Sequence, residues 1–230
     1  VIINNIITLD CLPMLFDAHA VTLSPSEQFV VDLAIVSVAI ASLLFTDSKL
    51  KSKNPGIIFT IIVILAVSGR LLLDPIPNVQ PVTFLAIMVG IYFGISYSIV
   101  FATIVTLSSN VMLEHGIWSN YQIIAWASIG ILAALLRGQF IQNNKLNITN
   151  VAIFAAFSGF MFDWIVSLSI LHNVDTSFFL IYLLNGIPFD LLHAGGNVVF
   201  VAWLANPLSE LMDRHTSLTN PEVVPELASN

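Results

Sequence analysis

The sequence predicts an all-α integral membrane protein with about seven transmembrane helices, and three observations support this class. Hydrophobic residues make up 57% of the 230-residue chain and charged residues only 9%, whereas a soluble domain has about 25% charged residues. The mean hydropathy is +0.92, which requires repeated apolar segments of the roughly 20 residues that span a bilayer. These segments are apolar on every face, as lipid-embedded helices are, and do not alternate as barrel strands do.

The charge balance and the cysteine content exclude several classes of function. The formal net charge of −7 leaves no basic patch for phosphates, so we expect no nucleic-acid partner. The one cysteine, Cys11, excludes an internal disulfide and a cysteine-based metal cluster, and we expect no bound metal. The chain opens without a basic region or a small-residue cleavage site, so we expect no signal peptide.

The predicted elements follow in order along the chain. Residues 1–28 are apolar with polar interruptions, which indicates an extracytoplasmic or interfacial arm. Residues 29–46 form an additional transmembrane helix ahead of a six-helix core at 56–206. The polar tail at 207–230 is expected to be cytoplasmic and disordered. The seven predicted transmembrane segments are Phe29–Thr46, Gly56–Leu73, Pro81–Phe93, Ile95–Met112, Tyr121–Leu136, Asn150–Leu171 and Phe178–Ala205.

The apolar stretch 82–113 is interpreted as two helices that separate near Gly94. A single helix of about 32 residues would be about 48 Å long, against a hydrocarbon core of about 30 Å. Lys and Arg prefer short cytoplasmic loops. The basic residues of the later loops lie on the same side as those of the first loop only if the stretch 82–113 forms two helices and not one. The N-terminus is then outside and the C-terminus cytoplasmic. The cations on the cytoplasmic side are Lys49, Lys51, Lys53, Arg137, Lys145 and Arg214.

Ionisable residues inside the predicted spans are candidates for function, because charge is expensive in lipid. Arg70 lies near the outer end of its helix, where it either snorkels outward, pairs with Asp74 one turn away, or contacts a ligand. Asp163 and Asp190 lie within later spans. Each is interpreted as part of a polar network between helices, with ligand contact or proton relay as alternatives.

A polar face is predicted on the last helix. Asp190 and His193 are three residues apart, and Asn197 follows four residues later, so all three share one side. Gly195 and Gly196 beside them permit close helix approach. Too few metal ligands accompany them for a metal site, and no nucleophile with an oriented base is evident.

The loop at 114–120 joins two outward helix ends and includes Trp118. It is either an aromatic anchor at the membrane interface or a lip over an outward-facing cavity.

Taken together, these segments resemble the substrate-binding S components of energy-coupling factor (ECF) transporters. The resemblance covers residues 56–206 and is most like the cobalamin-type (CbrT-like) group, whose members often have an additional helix before the core. The residues on which it rests are Gly69-Arg70, Pro77-Asn78-Val79-Gln80-Pro81-Val82-Thr83, Gly90, Gly94, Ser109-Asn110, Gly116-Ile117-Trp118, Gln122-Ile123-Ile124-Ala125-Trp126, Gly130, Gly186-Ile187-Pro188-Phe189-Asp190-Leu191-Leu192-His193 and Asn197.

The resemblance implies a six-helix S-component-like bundle, preceded by one helix, in a bacterial cell membrane. Such a protein captures its vitamin, here expected to be cobalamin, from outside and binds no covalent cofactor. Its partners are lipid, a transmembrane coupling (T) component and two ATP-binding subunits. The chain has no Gly-x-x-x-x-Gly-Lys-Ser/Thr loop, so we expect it not to be an enzyme and ATP hydrolysis to occur in those partners.

The chain departs from the family pattern at two places. Gly56 and Thr60 stand where an Ala-x-x-x-Ala pair usually forms the docking surface for the coupling protein. The chain has Gly116-Ile117-Trp118 where the family commonly has Gly-Pro-Trp. This difference changes the rigidity of the loop and leaves the aromatic residue in place.

Vitamin sites are mostly apolar with a few placed polar groups, and the outer helix ends supply such groups. The residues expected to bind substrate are Arg70, Asn78, Gln80, Asn110, Trp118, Tyr121 and Trp126, and those expected in helix packing or a polar network are Asp163, Asp190, His193 and Asn197. Three alternatives remain: an S component for another vitamin, a stand-alone proton-coupled transporter that uses Asp163 or Asp190, and an intramembrane enzyme that uses Asp190 and His193.

Overall fold

The computed structural model describes residues 23–44, 55–172 and 175–215, and the regular secondary structure in this part of the chain is helical except for one short hairpin. In these described ranges, four helical segments are long and apolar enough to cross a membrane, namely Pro25–Leu44, Ile95–Leu113, Ile148–His172 and Thr176–Arg214. The elements are α1 (Pro25–Leu44), α2 (Pro55–Leu72), α3 (Val82–Phe93), α4 (Ile95–Leu113), α5 (Ile117–Leu135), α6 (Arg137–Phe140), β1 (Ile141–Gln142), β2 (Lys145–Leu146), α7 (Ile148–Ser167), a 3-10 helix (Leu168–His172) and α8 (Thr176–His215).

Helix α3 is the centre of the bundle. All twelve of its residues are buried, so it is surrounded by protein on every side. It ends at Gly94, whose φ of 85° is readily adopted only by glycine, and α4 begins at the next residue. The helix break predicted near Gly94 is therefore present in the structure.

The long helices alternate in direction, which gives the bundle two distinct ends. At one end, here called the site end, α2, α4 and α7 end and α3, α5 and α8 begin. Contacts between α2 and α4 and between α5 and the 3-10 helix show this arrangement. The opposite end, here called the hairpin end, contains α6, the β1–β2 hairpin and the last turns of α8.

Glycines set the closest helix crossings. A Cβ added at Gly90 in α3 would lie 2.1 Å from the carbonyl oxygen of Gly130 in α5, and one added at Gly159 in α7 would lie 2.8 Å from the backbone nitrogen of Ala194 in α8. Backbones meet at these points because no side chain separates them. Gly196 packs against Val79, whereas Gly195, predicted to aid close approach, faces open space.

Helix α1 lies at the edge of the bundle, with Ala39 as its one buried residue within the described helix. Its first turns are joined to the loop after α4 by a polar contact: Gln28 donates to Asp32 at 2.8 Å, and His115 Nε2 lies 3.0 Å from the other oxygen of Asp32.

Helix α1 begins at Pro25, four residues before the predicted start at Phe29, so the last part of the predicted arm is helical. Ser24 and Glu27 form a capping box, in which Ser24 N–H donates to the Glu27 carboxylate at 3.0 Å and Glu27 N–H donates to the Ser24 hydroxyl at 3.4 Å. Proline is favoured at the first helical position. The rest of the arm, including Cys11, lies outside the described residues, as do residues 45–54 with Lys49, Lys51 and Lys53.

The prediction of a disordered tail from residue 207 was wrong over its first part, because α8 continues through Pro207 to His215. Leu208 and Met212 are buried against the core, and their packing outweighs the helix hydrogen bond that Pro207 removes. Residues 216–230 lie outside the described part of the chain.

Candidate functional site

A buried arginine organises one half of the polar side chains at the site end. Arg70, near the end of α2, is 5% exposed. Its Nη1 donates to the Ser109 hydroxyl and, at 2.7 Å, to Asn110 Oδ1, both on α4. Among the described residues it forms no ion pair with Asp74 or any other carboxylate. The guanidinium therefore neither snorkels outward nor pairs with Asp74.

The amide of Asn110 extends this cluster to α5. Its Nδ2 donates to the Ser119 hydroxyl at 2.7 Å and to Gln122 Oε1 at 2.9 Å. The cluster thus joins α2, α4 and α5 at their neighbouring ends, and the guanidinium carbon of Arg70 lies over the Trp126 ring, 5.1 Å from its centre.

Trp126 begins a second chain of hydrogen bonds, which ends at a carboxylate. Its indole N–H donates to the Thr83 hydroxyl of α3 at 3.1 Å. Thr83 lies 2.8 Å from Nε2 of His193 in α8, and Nδ1 of the same ring lies 3.0 Å from Asp163 Oδ2 in α7. The other carboxylate oxygen accepts from Asn78 Nδ2 at 3.1 Å.

For a neutral histidine beside a deprotonated Asp163, one arrangement of donors and acceptors satisfies every group in this chain. The indole N–H can only donate, so the Thr83 oxygen accepts from it and the hydroxyl hydrogen is left for Nε2 of His193. Nδ1–H then donates to Asp163. Asp163 consequently accepts two hydrogen bonds, from His193 and Asn78. Each donor in the chain that starts at Trp126 points along the chain towards Asp163.

Aromatic packing fixes the histidine. Phe162 stacks on Trp126 with ring centres 4.6 Å apart and meets the His193 ring edge-on at 5.2 Å. Asn78, in the loop between α2 and α3, has a φ of 57°, a left-handed conformation that asparagine tolerates better than most residues. Contacts with Thr83, Phe162 and Asn78 therefore hold the Asp163–His193 pair in place.

A cavity of about 250 Å³ opens beside Asp163, between α7, α8 and the loop between α2 and α3. It has two carboxylates, since Asp190 of α8 also lines it and is 3% exposed. One oxygen of Asp190 accepts from the Trp164 indole N–H at 3.0 Å. The residues that line the cavity are Asn78, Asp163, Val166, Ser167, Tyr182, Asn185, Gly186, Phe189 and Asp190.

The structure brings together most of the residues that sequence patterns indicated. Arg70, Asn110 and Trp126 belong to one connected cluster and Asn78, Asp163 and His193 to its continuation, while Asp190 lies across the cavity. His193 bonds Thr83 and Asp163, and Asp190 bonds Trp164, so the two members of the predicted Asp190–His193 face do not bond each other.

Four other predicted residues lie outside this cluster. Trp118 lies in the first turn of α5, which begins at Ile117 and so shortens the loop predicted at 114–120, and its buried indole packs over Gly116 just before the helix. Tyr121 bonds His172 at 2.9 Å in an exposed position, and Gln80 is half-buried with no side-chain hydrogen bond among the described residues. Asn197 donates to the Ala155 carbonyl at 3.1 Å and joins α8 to α7, as its predicted packing role requires.

The pair predicted to dock a partner lies near the hairpin end of α2. The Thr60 hydroxyl bonds the Gly56 carbonyl of its own helix at 2.8 Å, and both residues are exposed. Ile57, Ile61 and Ile64 on this helix are also exposed.

Several residues of the site were not predicted. Thr83 and Gln122 lie inside motifs quoted for the family resemblance, but a single threonine or glutamine in an apolar segment gives no signal of its own. On α8, Tyr182 lies about two turns before Asp190, and Asn185 lies three residues after Tyr182 and four before Phe189. Neighbours at three- and four-residue spacing share a helix face, so this spacing could have identified them. Within the described residues, no group of three metal-binding side chains occurs.

The chain matches one protein-family model over residues 49–218, that of a family of unknown function, DUF6580. No curated protein matches the chain, and no solved structure does.

Proposed function

The chain belongs to DUF6580, a family of unknown function, so we propose its function from the fold and the cavity. We propose that the protein is the substrate-binding membrane subunit of a vitamin importer of the ECF type. It captures its vitamin at the site end, from outside the cell, and releases it inside when docked on a coupling module. The protein itself is not an enzyme in this proposal.

The observation on which the proposal depends is the cavity at the site end. It combines apolar and aromatic walls with a few fixed polar groups, as small-molecule sites do. One of its lining residues, Asp163, is the end of the buried hydrogen-bond chain that runs through His193 and Thr83 to Trp126. Polar side chains held this firmly inside an apolar bundle are costly unless they have a function or hold the fold together.

The distribution of charge supports the proposed orientation. Arg137, Lys145 and Arg214 lie at the hairpin end, and cations prefer the cytoplasmic side. Asp74, Glu114 and Asp175 lie at the site end. The cavity therefore faces outward in this proposal, where a captured vitamin would arrive.

The energy for transport comes from partners in this proposal. The sequence contains no phosphate-binding Gly-x-x-x-x-Gly-Lys-Ser/Thr loop, so two ATP-binding subunits and a T component supply it. The exposed face of α2 around Gly56 and Thr60 is the proposed contact for the T component, because small residues allow close helix approach in lipid.

Cobalamin is the first vitamin to test, because the resemblance is greatest to the cobalamin-type group. Enclosed ligand sites for drug-sized molecules measure about 300–1,000 Å³, and the cavity of about 250 Å³ would enclose only a small part of so large a ligand. The cavity would enclose a larger share of a smaller vitamin, so other vitamins belong in the same experiment.

The test is calorimetric titration of the detergent-purified full chain with a vitamin panel that starts with cobalamin, followed by uptake into proteoliposomes with and without the coupling module and ATP. We expect binding of one vitamin by the chain alone and uptake only with module and ATP. Absence of any vitamin binding, together with failure to copurify with a coupling module, would refute the proposal.

Two glycines of α8 provide a matched pair of variants. Gly186 lines the cavity and has room beside it, so Gly186→Leu should fill the cavity and abolish vitamin binding. Gly195 faces open space on the same helix, so Gly195→Leu should leave binding unchanged. Equal binding by both variants would place the vitamin elsewhere.

A proton-coupled transporter is the second candidate, and the Asp163–His193 hydrogen bond favours it. A carboxylate bonded to a histidine inside an apolar bundle is the kind of group through which protons move. In that case the lone protein in liposomes would take up substrate under a pH gradient, and His193→Ala would abolish uptake. Uptake that strictly requires ATP and the coupling module excludes this candidate.

A further inference from the structure

We propose that the cavity between α7 and α8 selects an organic cation, so that the transported molecule has a protonated amine, a quaternary ammonium or a cationic heterocycle. This inference rests on the proposed function and deepens it by naming the chemical class of the substrate. It follows from the charge, the chemistry and the size of the cavity.

The charge of the lining is of one sign only. Asp163 approaches the cavity from α7 and Asp190 from α8, and none of the nine lining residues is basic. The nearby cations do not change this. Neither Arg70 nor His193 lines the cavity. Arg70 donates to Ser109 and Asn110 of α4, and Nδ1 of His193 lies 3.0 Å from Asp163 Oδ2.

The remaining lining residues suit a cation as well. Tyr182 and Phe189 supply aromatic rings, and the faces of such rings attract cations within about 6 Å. Asn78, Asn185 and Ser167 supply oxygens that accept hydrogen bonds from an ammonium group. A ligand cation between two carboxylates would compensate charge that the low-dielectric surroundings otherwise disfavour.

The size and the donor set favour a polyatomic cation over a bare metal ion. The cavity of about 250 Å³ is several times larger than one water, whose share of liquid volume is about 30 Å³. No group of three metal-binding side chains occurs in the described part of the chain. A polyatomic cation with apolar surface uses both the volume and the aromatic walls.

The experiment compares ligands that differ in charge and little in shape. The detergent-purified full chain is titrated by calorimetry with choline and with its neutral carbon isostere 3,3-dimethyl-1-butanol. The same is done with the cationic vitamin thiamine, the neutral vitamins riboflavin and cobalamin, and the anionic vitamin biotin. We expect at least one cation to bind, and choline to bind more tightly than its isostere by roughly tenfold or more, as for a desolvated charge pair.

Isosteric variants assign the selectivity to the two carboxylates. Asp190→Asn keeps an oxygen that can accept from Trp164 and removes the charge, so it should fold and weaken cation binding by roughly tenfold or more while leaving neutral probes unaffected. Asp163→Asn should do the same, although it also disturbs the bond with His193. A monodisperse elution profile identifies folded variants.

The control is Asp175→Asn, which removes one negative charge from the same end of the bundle. Backbone and side-chain hydrogen bonds from Ser177 lower the pKa of the Asp175 carboxyl, so it is charged at pH 7, yet it does not line the cavity. Its asparagine variant retains an acceptor for the Ser177 N–H and should bind every probe as the native chain does.

The outcomes separate this inference from the proposed function. Cation binding that Asp190→Asn abolishes, without coupling to an ATPase module, would support the inference and refute the importer. Tight binding of a neutral or anionic vitamin that Asp190→Asn leaves intact would refute the inference and keep the importer. Failure of every cation to bind, or equal binding of choline and its isostere, would also overturn the inference.

Discussion

At the scale of single residues, the site end depends on side chains that have more than one partner. Thr83 accepts from one buried ring and donates to another, and Asn110 accepts from Arg70 while it donates to α5. Loss of such a residue leaves two groups unsatisfied at once. A buried unsatisfied donor or acceptor costs about 1–3 kcal/mol, so these residues should dominate the polar contribution to stability.

Thr83→Val tests this directly, because valine preserves the shape and removes the hydroxyl. The Trp126 N–H and His193 Nε2 both lose their partner, and we expect the free energy of unfolding to fall by about 2–4 kcal/mol. Thr103→Val is the matched control, since among the described residues the Thr103 hydroxyl bonds only the Ile99 carbonyl of its own helix. Thermal unfolding followed by tryptophan fluorescence measures both. Similar losses in the two variants would contradict the role given to Thr83.

Arg70 is the second residue whose loss should be large. In Arg70→Met the apolar stem is preserved, but Asn110 Oδ1 and the Ser109 hydroxyl lose a charged donor, and the cation over Trp126 is gone. We expect a loss of about 2–4 kcal/mol. Arg214→Met is the control, because Arg214 is exposed in a 3.5 Å pair with Glu210, and exposed pairs contribute about 0–1 kcal/mol. A smaller loss for Arg70→Met than for Arg214→Met would contradict the buried cluster.

At the scale of helices, close approach of backbones determines the architecture. Helix α3 is short and buried on all sides because Gly94 ends it and because Gly90 lets α5 cross its surface. Such crossings have no room for a methyl group, and overpacking a well-packed contact typically costs about 1–3 kcal/mol.

Gly90→Ala should therefore separate α3 from α5. Its Cβ would lie 2.1 Å from the carbonyl oxygen of Gly130, a backbone atom that cannot rotate away. We expect a lower unfolding temperature and weaker ligand binding, because Thr83 and Trp126 lie on the same two helices. Gly56→Ala is the control, since nothing lies near its added Cβ. A Gly90→Ala chain as stable as the Gly56→Ala chain would show that the crossing of α3 and α5 has room for a methyl group.

At the scale of the whole molecule, the hydropathy and charge patterns of the sequence predicted more of the fold than of the site. Apolar segment length placed the helices, and Gly94 divided the long apolar stretch, because these signals are local in the sequence. The end of α8 was mispredicted because the packing of Leu208 and Met212 against distant helices is not local. The bond between Asp163 and His193 likewise depends on how α7 and α8 face each other, so sequence spacing joined His193 to Asp190 instead.

The proposed orientation of the whole bundle gives the last prediction. In a Cys11→Ser background, Asp175→Cys places a thiol at the site end and Gly138→Cys places one at the hairpin end, where an added Cβ meets nothing. A membrane-impermeant maleimide applied to intact cells should label the chain at position 175 and label it at position 138 only after the cells are opened. The excess of Arg and Lys at the hairpin end is the reason for this expectation. Labelling of position 138 in intact cells would invert the bundle and place the cavity on the cytoplasmic side, where it could not capture a vitamin from outside.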